Sequence, residues 1–152
     1  MNIALSTDQI DDLLRNDEKF KGAFPCDRIP KLLDNEYSIV VNCDSQNQPG
    51  SHWVALVIRG NFVYFFDSFG RSYDNFSFPE VFRKNISEIC FNRKLRFQNK
   101  VLQGFHSYTC GEFCVYFIKQ MHKRTPFSNI FRDFTENLKE NDARILKLFR
   151  KN

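Results

Sequence analysis

Cys110 has the strongest claim to chemistry in this chain. It closes the stretch Leu102-Gln103-Gly104-Phe105-His106-Ser107-Tyr108-Thr109, a Gly-containing loop, and opens an apolar run. Cys110, Phe113, Cys114, Phe117, Ile118 and Met121 recur at helical spacing, which puts Cys110 in the first turn of a helix. A thiol there meets unpaired backbone N–H groups and the positive end of the helix dipole, both of which favour thiolate. A buried apolar cysteine would give the same pattern, so Cys110 by itself leaves both readings open.

A cysteine nucleophile needs a base, and the base needs a group to orient it. The chain has three histidines, His52, His106 and His122. His122 lies twelve residues along the helix of Cys110, about 18 Å away and out of reach. His106 sits in the loop, where positioning is poor. His52 opens the apolar run to Arg59, a rigid mount. Gly60-Asn61 separates that run from Phe62–Asp67, which predicts a two-residue hairpin turn. The turn pairs Arg59 with Phe62, Leu56 with Phe65 and Val54 with Asp67. His52 and Asp67 then emerge on one face as diagonal neighbours, about 7–8 Å apart at Cα. A three-residue turn would throw Asp67 to the other face. The register therefore builds a His–Asp pair without appeal to Cys110.

Acyl transfer also needs donors aimed at the charge that develops on the carbonyl oxygen. The N–H of Cys110 is placed for this at a helix start. Gln103, seven residues upstream, has a suitable amide, though spacing does not separate it from an ordinary loop glutamine.

The elements that must hold these residues read as follows. Ser6 and Gln9 are spaced as a capping box for a helix over about 7–15. Phe20 to Pro30, with Gly22 and Pro25, reads as an ordered loop, with a helical turn near Ile29–Leu33. Tyr37–Cys43 reads as a strand and Asp44–Ser51, with Pro49-Gly50, as a loop. After the hairpin, Phe69–Pro79 is a loop and Pro79 opens a helix over about 80–87. Lys94–Gln98 is a short strand that could run on toward Val101-Leu102. The Cys110 helix runs to about Lys123 and Pro126 stops it. A short helix follows over Phe127–Phe134, and Asn141-Asp142 is the N-cap expected for a last helix over about 142–150. Strands in the middle and helices at both ends predict a single α+β domain over residues 1–152. Its sheet would be central and mostly antiparallel, with 4–5 strands.

Composition narrows the class. At 42% hydrophobic and 26% charged residues the chain is neither a disordered nor a membrane-spanning type. Its 18 Phe imply an aromatic-rich core or groove. The N-terminus shows no secretory pattern, and five scattered cysteines fit reduced thiols in an intracellular compartment better than a disulfide framework. No CxxC or close His pair points to a metal. The net charge of +4 fits a solvated helix face or a nucleic-acid surface.

Gly50-Ser51-His52-Trp53, Tyr64-Phe65-Phe66-Asp67-Ser68-Phe69-Gly70, Gln103-Gly104 and Thr109-Cys110-Gly111 together resemble the adenovirus maturation protease (adenain) family. That family includes enzymes of virus-like transposons and large DNA viruses, and more distantly resembles proteases of SUMO and other ubiquitin-like modifiers. The order His, Asp, Gln, Cys is that clan's. Phe20–Asp27 is similar to the opening segment of transposon-type members.

The resemblance implies a thiol endopeptidase with Cys110 as nucleophile and His52 as base and then acid. Asp67, where adenovirus enzymes often have Glu, would orient His52, and Gln103 would line the oxyanion hole. Trp53 and Gly111 would wall a narrow channel that favours Gly at the scissile bond of capsid-type precursors. It also implies no cofactor, a monomer, no membrane, and a virion or host-nuclear location. Adenovirus members are activated by a viral peptide and by DNA. No segment here matches the peptide-binding one, and Cys90 lies near the corresponding region at a different distance from Gln103. The competing expectations are a protease of SUMO- or ubiquitin-like modifiers and a non-catalytic nucleic-acid-binding domain.

Overall fold

A computed structural model of the chain describes residues 4–44 and 52–150, so the 45–51 part of the Asp44–Ser51 loop lies outside the described residues. The elements in order are α1 (Thr7–Leu14), β1 (Phe20–Pro25), β2 (Glu36–Asn42), β3 (Trp53–Arg59), β4 (Phe62–Phe66), α2 (Glu80–Cys90), β5 (Lys94–Phe97), α3 (Cys110–His122) and α4 (Leu138–Arg150), with a 3-10 turn at Phe127–Asn129 before α4. The class is α+β, as the residue pattern predicts.

The five strands lie in sequence order in one sheet. The hairpin has the expected register, with Arg59 opposite Phe62, Leu56 opposite Phe65 and Ala55 opposite Phe66. β2 adds antiparallel to β3, but β1 and β5 join in parallel. The sheet is therefore mixed rather than mostly antiparallel. Both outer strands reach the sheet by crossovers, and α2 provides the one between β4 and β5.

Strand β3 is buried almost throughout because both faces of the sheet are covered. Val54, Leu56, Ile58, Val63 and Phe65 pack with Phe82 and Ile86 of α2. Trp53, Ala55, Val57 and Phe66 pack on the other side with α1, α3 and α4 through Ile10, Phe113, Phe117 and Ile145. Phe66 is 0% exposed and stacks on Phe117 at 5.0 Å and Phe131 at 4.9 Å. Phe66→Ala is expected to cost about 3–5 kcal/mol, because an aromatic cavity would open between sheet and α3. Urea unfolding checks this, and a loss below about 1 kcal/mol would show that the site collapses freely.

Four local expectations are corrected. Phe20–Pro25 is a strand, not a loop. It lies at the sheet edge, where Pro25 is tolerated, and a register break between Phe20 and Ala23 accommodates Gly22 at φ +134°. No helical turn forms at Ile29–Leu33. β5 ends at Phe97 because the Gln98 side chain turns back to bond the carbonyls of Asp67 and Lys100. After Pro126 the chain makes only the 3-10 turn and further turns, not a helix to Phe134.

The start of α4 is corrected as well. The helix begins a turn earlier than Asn141-Asp142, with Asn137 Oδ1 accepting the Glu140 N–H at 3.1 Å. Asn141 and Asp142 lie inside the helix. The capping box on α1 forms as predicted, with Ser6 and Gln9 bonding each other's backbone.

Candidate active site

The site lies where β3 begins, β4 ends and α3 begins. His52 precedes β3, and its carbonyl accepts the Cys43 N–H at 2.9 Å, which carries the β2–β3 ladder one step further. Asp67 follows β4 and is 0% exposed. Its carboxyl oxygen Oδ1 lies 2.6 Å from His52 Nε2, the diagonal pairing that the hairpin register predicts. With Nε2 held on Asp67, the imidazole shares the cleft with Cys110, whose side chain acts on its titration.

Asp67 Oδ2 accepts the Arg71 backbone N–H at 3.1 Å and its Nε–H at 2.7 Å. Arg71 is in turn laid over the Phe78 ring at 4.1 Å and bonded to Ser77. The turn that allows this ends at Gly70, φ +75°, where a Cβ would come within 2.8 Å of the Lys100 backbone. Arg71 is absent from the residues singled out in the sequence, although its place four residues after Asp67 in a tight turn was a usable signal.

The electrostatics follow from these contacts. Burial pulls the His52 imidazole down, but the bonds and charges of Asp67 and Cys110 more than offset it and raise the pKa to about 9. Burial also pushes the Asp67 carboxyl up, yet His52 and Arg71 together hold it below the usual aspartate value. His52 is stacked on Phe69 at 5.0 Å, and Phe69 on Phe105 at 6.0 Å, so apolar rings shield one face of the imidazole. Burial raises the other four thiols, Cys26 and Cys90 to about 11 and Cys43 and Cys114 well above the ordinary range.

Gln103 is 2% exposed. Its Oε1 accepts from the Ser68 hydroxyl at 2.5 Å and its Nε2 donates to the Ser107 carbonyl at 3.0 Å. The N–H groups of Leu102 and Gln103 both donate to the Ser68 carbonyl. The residue after Asp67 thus locks the glutamine beside the His–Asp pair.

His52, Gln103 and Cys110 face one cleft of about 420 Å³, with Phe69, Arg71, Phe105 and Tyr108 around it. His106 is on the cleft wall, while His122 is paired with Asp17 through Nδ1 at the far end of α3. Trp53 and Gly111 are adjacent but covered. Trp53 Nε1–H donates to the Leu5 carbonyl at 2.9 Å, and a Cβ on Gly111 would meet Leu5 Cβ at 3.0 Å. Among the described residues no group of three or more His, Cys, Asp or Glu side chains could hold a metal ion, and no helix is long and apolar enough to cross a membrane.

The family model for adenovirus endoprotease matches residues 20–142. The chain belongs to that family. A protein of Acanthamoeba polyphaga mimivirus that bears the name of a thiol protease is 31% identical over 137 residues, which cover 74% of this chain and 43% of the mimivirus protein. Among solved structures, the ASFV pS273R protease matches with TM-score 0.59 at 17% identity, over 94% of this chain and 66% of that one. ChlaDub1 from Chlamydia trachomatis matches with TM-score 0.51 at 13% identity, over 76% of this chain and 58% of that one. The two structures share the fold with this chain. The chain spans about two-fifths of the mimivirus relative and 66% of the ASFV protease. It carries a cysteine peptidase domain of the adenain type.

Proposed function

We propose that the chain is a thiol endopeptidase that cleaves polypeptide precursors at small-residue, Gly-containing sites, with Cys110 as nucleophile. The observation that carries this reading is His52, bonded to the buried Asp67, in one cleft with Gln103 and with Cys110 at the start of α3. The Cys110 thiolate attacks the scissile carbonyl, and the electron pair of the C=O moves to its oxygen. Gln103 Nε2 and the Cys110 N–H receive that oxygen. Collapse of the intermediate breaks the C–N bond, and the His52 imidazolium gives its proton to the leaving amine. Water, deprotonated by His52, then hydrolyses the thioester and frees Cys110. The proposed substrate class is capsid-type precursors, from the resemblance to the adenovirus maturation protease family. A virion or nuclear location, and activation by DNA or a peptide, belong to the same proposal.

The test pairs two substrates on the full chain, a fluorogenic Gly-containing peptide and a ubiquitin-like modifier with a C-terminal fluorophore. The peptide should be cleaved at least about tenfold more efficiently, as a difference in transition-state binding of about 1.4 kcal/mol or more. The reverse preference would make the chain a modifier-processing enzyme, and no cleavage of either would favour a non-catalytic domain. The pH profile of the same assay carries a sign. His52 must be protonated as acid, and its pKa is raised from 6.5 to about 9. The rate is expected to hold through pH 7–8 and fall as pH rises through about 9. A fall centred near 6.5 would mean that the ion pair does not form.

A further inference from the structure

The loop from Gln103 to Cys110 is held from outside the site by two adjacent residues of α4. Asn141, 2% exposed, donates from Nδ2 to the carbonyls of Leu102 at 3.1 Å and Thr135 at 2.7 Å. Asp142 Oδ2 accepts the Gly104 N–H at 3.2 Å, and Oδ1 accepts the Thr109 hydroxyl at 2.8 Å with Ser107 Oγ at 3.2 Å. The side chain therefore spans the loop from the residue after Gln103 to the residue before Cys110. The fit is close: a Cβ on Gly104 would lie 2.8 Å from Asp142 Oδ2.

Thr109 gives this contact a chemical consequence. A threonine just before a helix ordinarily accepts an N–H of the first turn with its hydroxyl oxygen. Thr109 makes no such bond to α3, and its hydroxyl is turned to Asp142 instead. The N–H groups that such a cap would take, those of Gly111 and Glu112, receive no bond from Thr109, and the Cys110 N–H, one position nearer the cap, is not the group that an N-cap side chain engages. On the other side, Gln103 Nε2 is oriented by the Ser107 carbonyl, which is part of the same clamped loop.

We propose that Asp142 is the positioning residue of the oxyanion site: by gripping Gly104 and Thr109 it fixes both ends of the loop that carries the Gln103 amide and leads into the Cys110 N–H. It rests on the roles of Gln103 and Cys110 in the proposed function. Asp142 touches neither substrate nor the reacting atoms and acts through the loop alone. Asp142→Ala should release the loop. Asp142→Asn should restore much of it, because an amide can accept from Gly104 and donate to the Thr109 oxygen.

The test compares Asp142→Ala, Asp142→Asn and Thr109→Val with the unaltered chain. Four quantities are measured: kcat and KM on a cleaved peptide, inhibition by the matching peptide aldehyde, the rate of Cys110 alkylation by iodoacetamide, and Tm. The aldehyde adduct places an oxygen where the oxyanion forms, whereas alkylation needs only the thiolate. For Asp142→Ala, kcat should fall about 10–100-fold with KM within about threefold, and aldehyde affinity should fall in parallel. Alkylation should stay within about twofold, since the His52–Asp67 contact is untouched. Thr109→Val should move kcat and aldehyde affinity in the same direction, and it decides the matter if Asp142→Ala does not fold. Recovery in Asp142→Asn supports the proposal. Equal losses in kcat, aldehyde affinity and alkylation, tracking a lowered Tm, would overturn it in favour of a purely structural role. An active unaltered chain matched by Asp142→Ala overturns this proposal alone. An unaltered chain that neither cleaves the peptide nor binds the aldehyde overturns the protease reading and this proposal with it.

Discussion

Cys110→Ala is expected to lower peptide hydrolysis by at least about 10⁴-fold while leaving the fold in place. The side chain is small and 3% exposed, and it belongs to the same core cluster as Phe113, Cys114 and Leu102, so removing one sulfur opens little space. Chemistry should suffer far more, because no other thiol can substitute. Burial holds Cys26 and Cys90 up at about 11 and Cys43 and Cys114 well above the ordinary range, so none is a thiolate near neutral pH. The same contrast predicts that limiting iodoacetamide at pH 7 labels Cys110 first and that His52→Ala slows the labelling. Mass spectrometry of the alkylated peptides reads this directly. Equal labelling of all five cysteines, or residual cleavage in Cys110→Ala above a hundredth of the original rate, would remove Cys110 from its role.

The second large effect belongs to Asp67→Asn. This change keeps the size of a side chain with no exposure and removes its charge. His52 Nε2 would face an amide in place of a carboxylate, and the amide would also have to serve Arg71. Loss of orientation and of imidazolium stabilisation should lower kcat/KM by about 10²–10⁴-fold. The alkaline limb should move as well. Burial, which depresses the His52 pKa, would remain while the chief opposing contact is gone, so the limb should shift from about 9 toward 6.5 or below. Stability should fall by about 2–3 kcal/mol, below the 3–5 typical of a fully buried broken pair, because Arg71 is 24% exposed and can still reach water. A variant with an unmoved alkaline limb and full activity would show that Asp67 is a structural anchor for Arg71 alone.

These two variants probe the part of the site that local rules already foreshadow. The His52–Asp67 pair follows from a two-residue turn at Gly60-Asn61, since hairpin register leaves no freedom once the turn length is fixed. Cys110 at a helix start follows from the spacing of Phe113, Cys114, Phe117, Ile118 and Met121, all of which are buried. Gln103 is different. Its distance in sequence from Cys110 does not indicate that the Ser68 hydroxyl and Ser107 carbonyl would hold both ends of its amide. That arrangement depends on the Asp67–Gly70 turn meeting the 102–107 loop.

The misread segments share a cause. Phe20–Pro25 carries Gly and Pro, which locally favour a loop, yet an edge position beside β2 absorbs both. Asn141-Asp142 has the composition of an N-cap, and nothing nearby in sequence shows that the polar pair would bond a loop 33–39 residues earlier.

The sequence by itself determined the α+β class, the hairpin register with its His52–Asp67 pair, and the helix that begins at Cys110. Each of these rests on periodicity or turn length, which act between neighbours in the chain. Only the tertiary structure decided the parallel addition of β1 and β5, the Arg71 grip on Asp67 and the tie between Asp142 and the loop before Cys110. Crossover strands, a buried carboxyl's second partner and a clamp from the last helix all depend on which surfaces meet when the sheet is covered on both faces, and no local spacing encodes that.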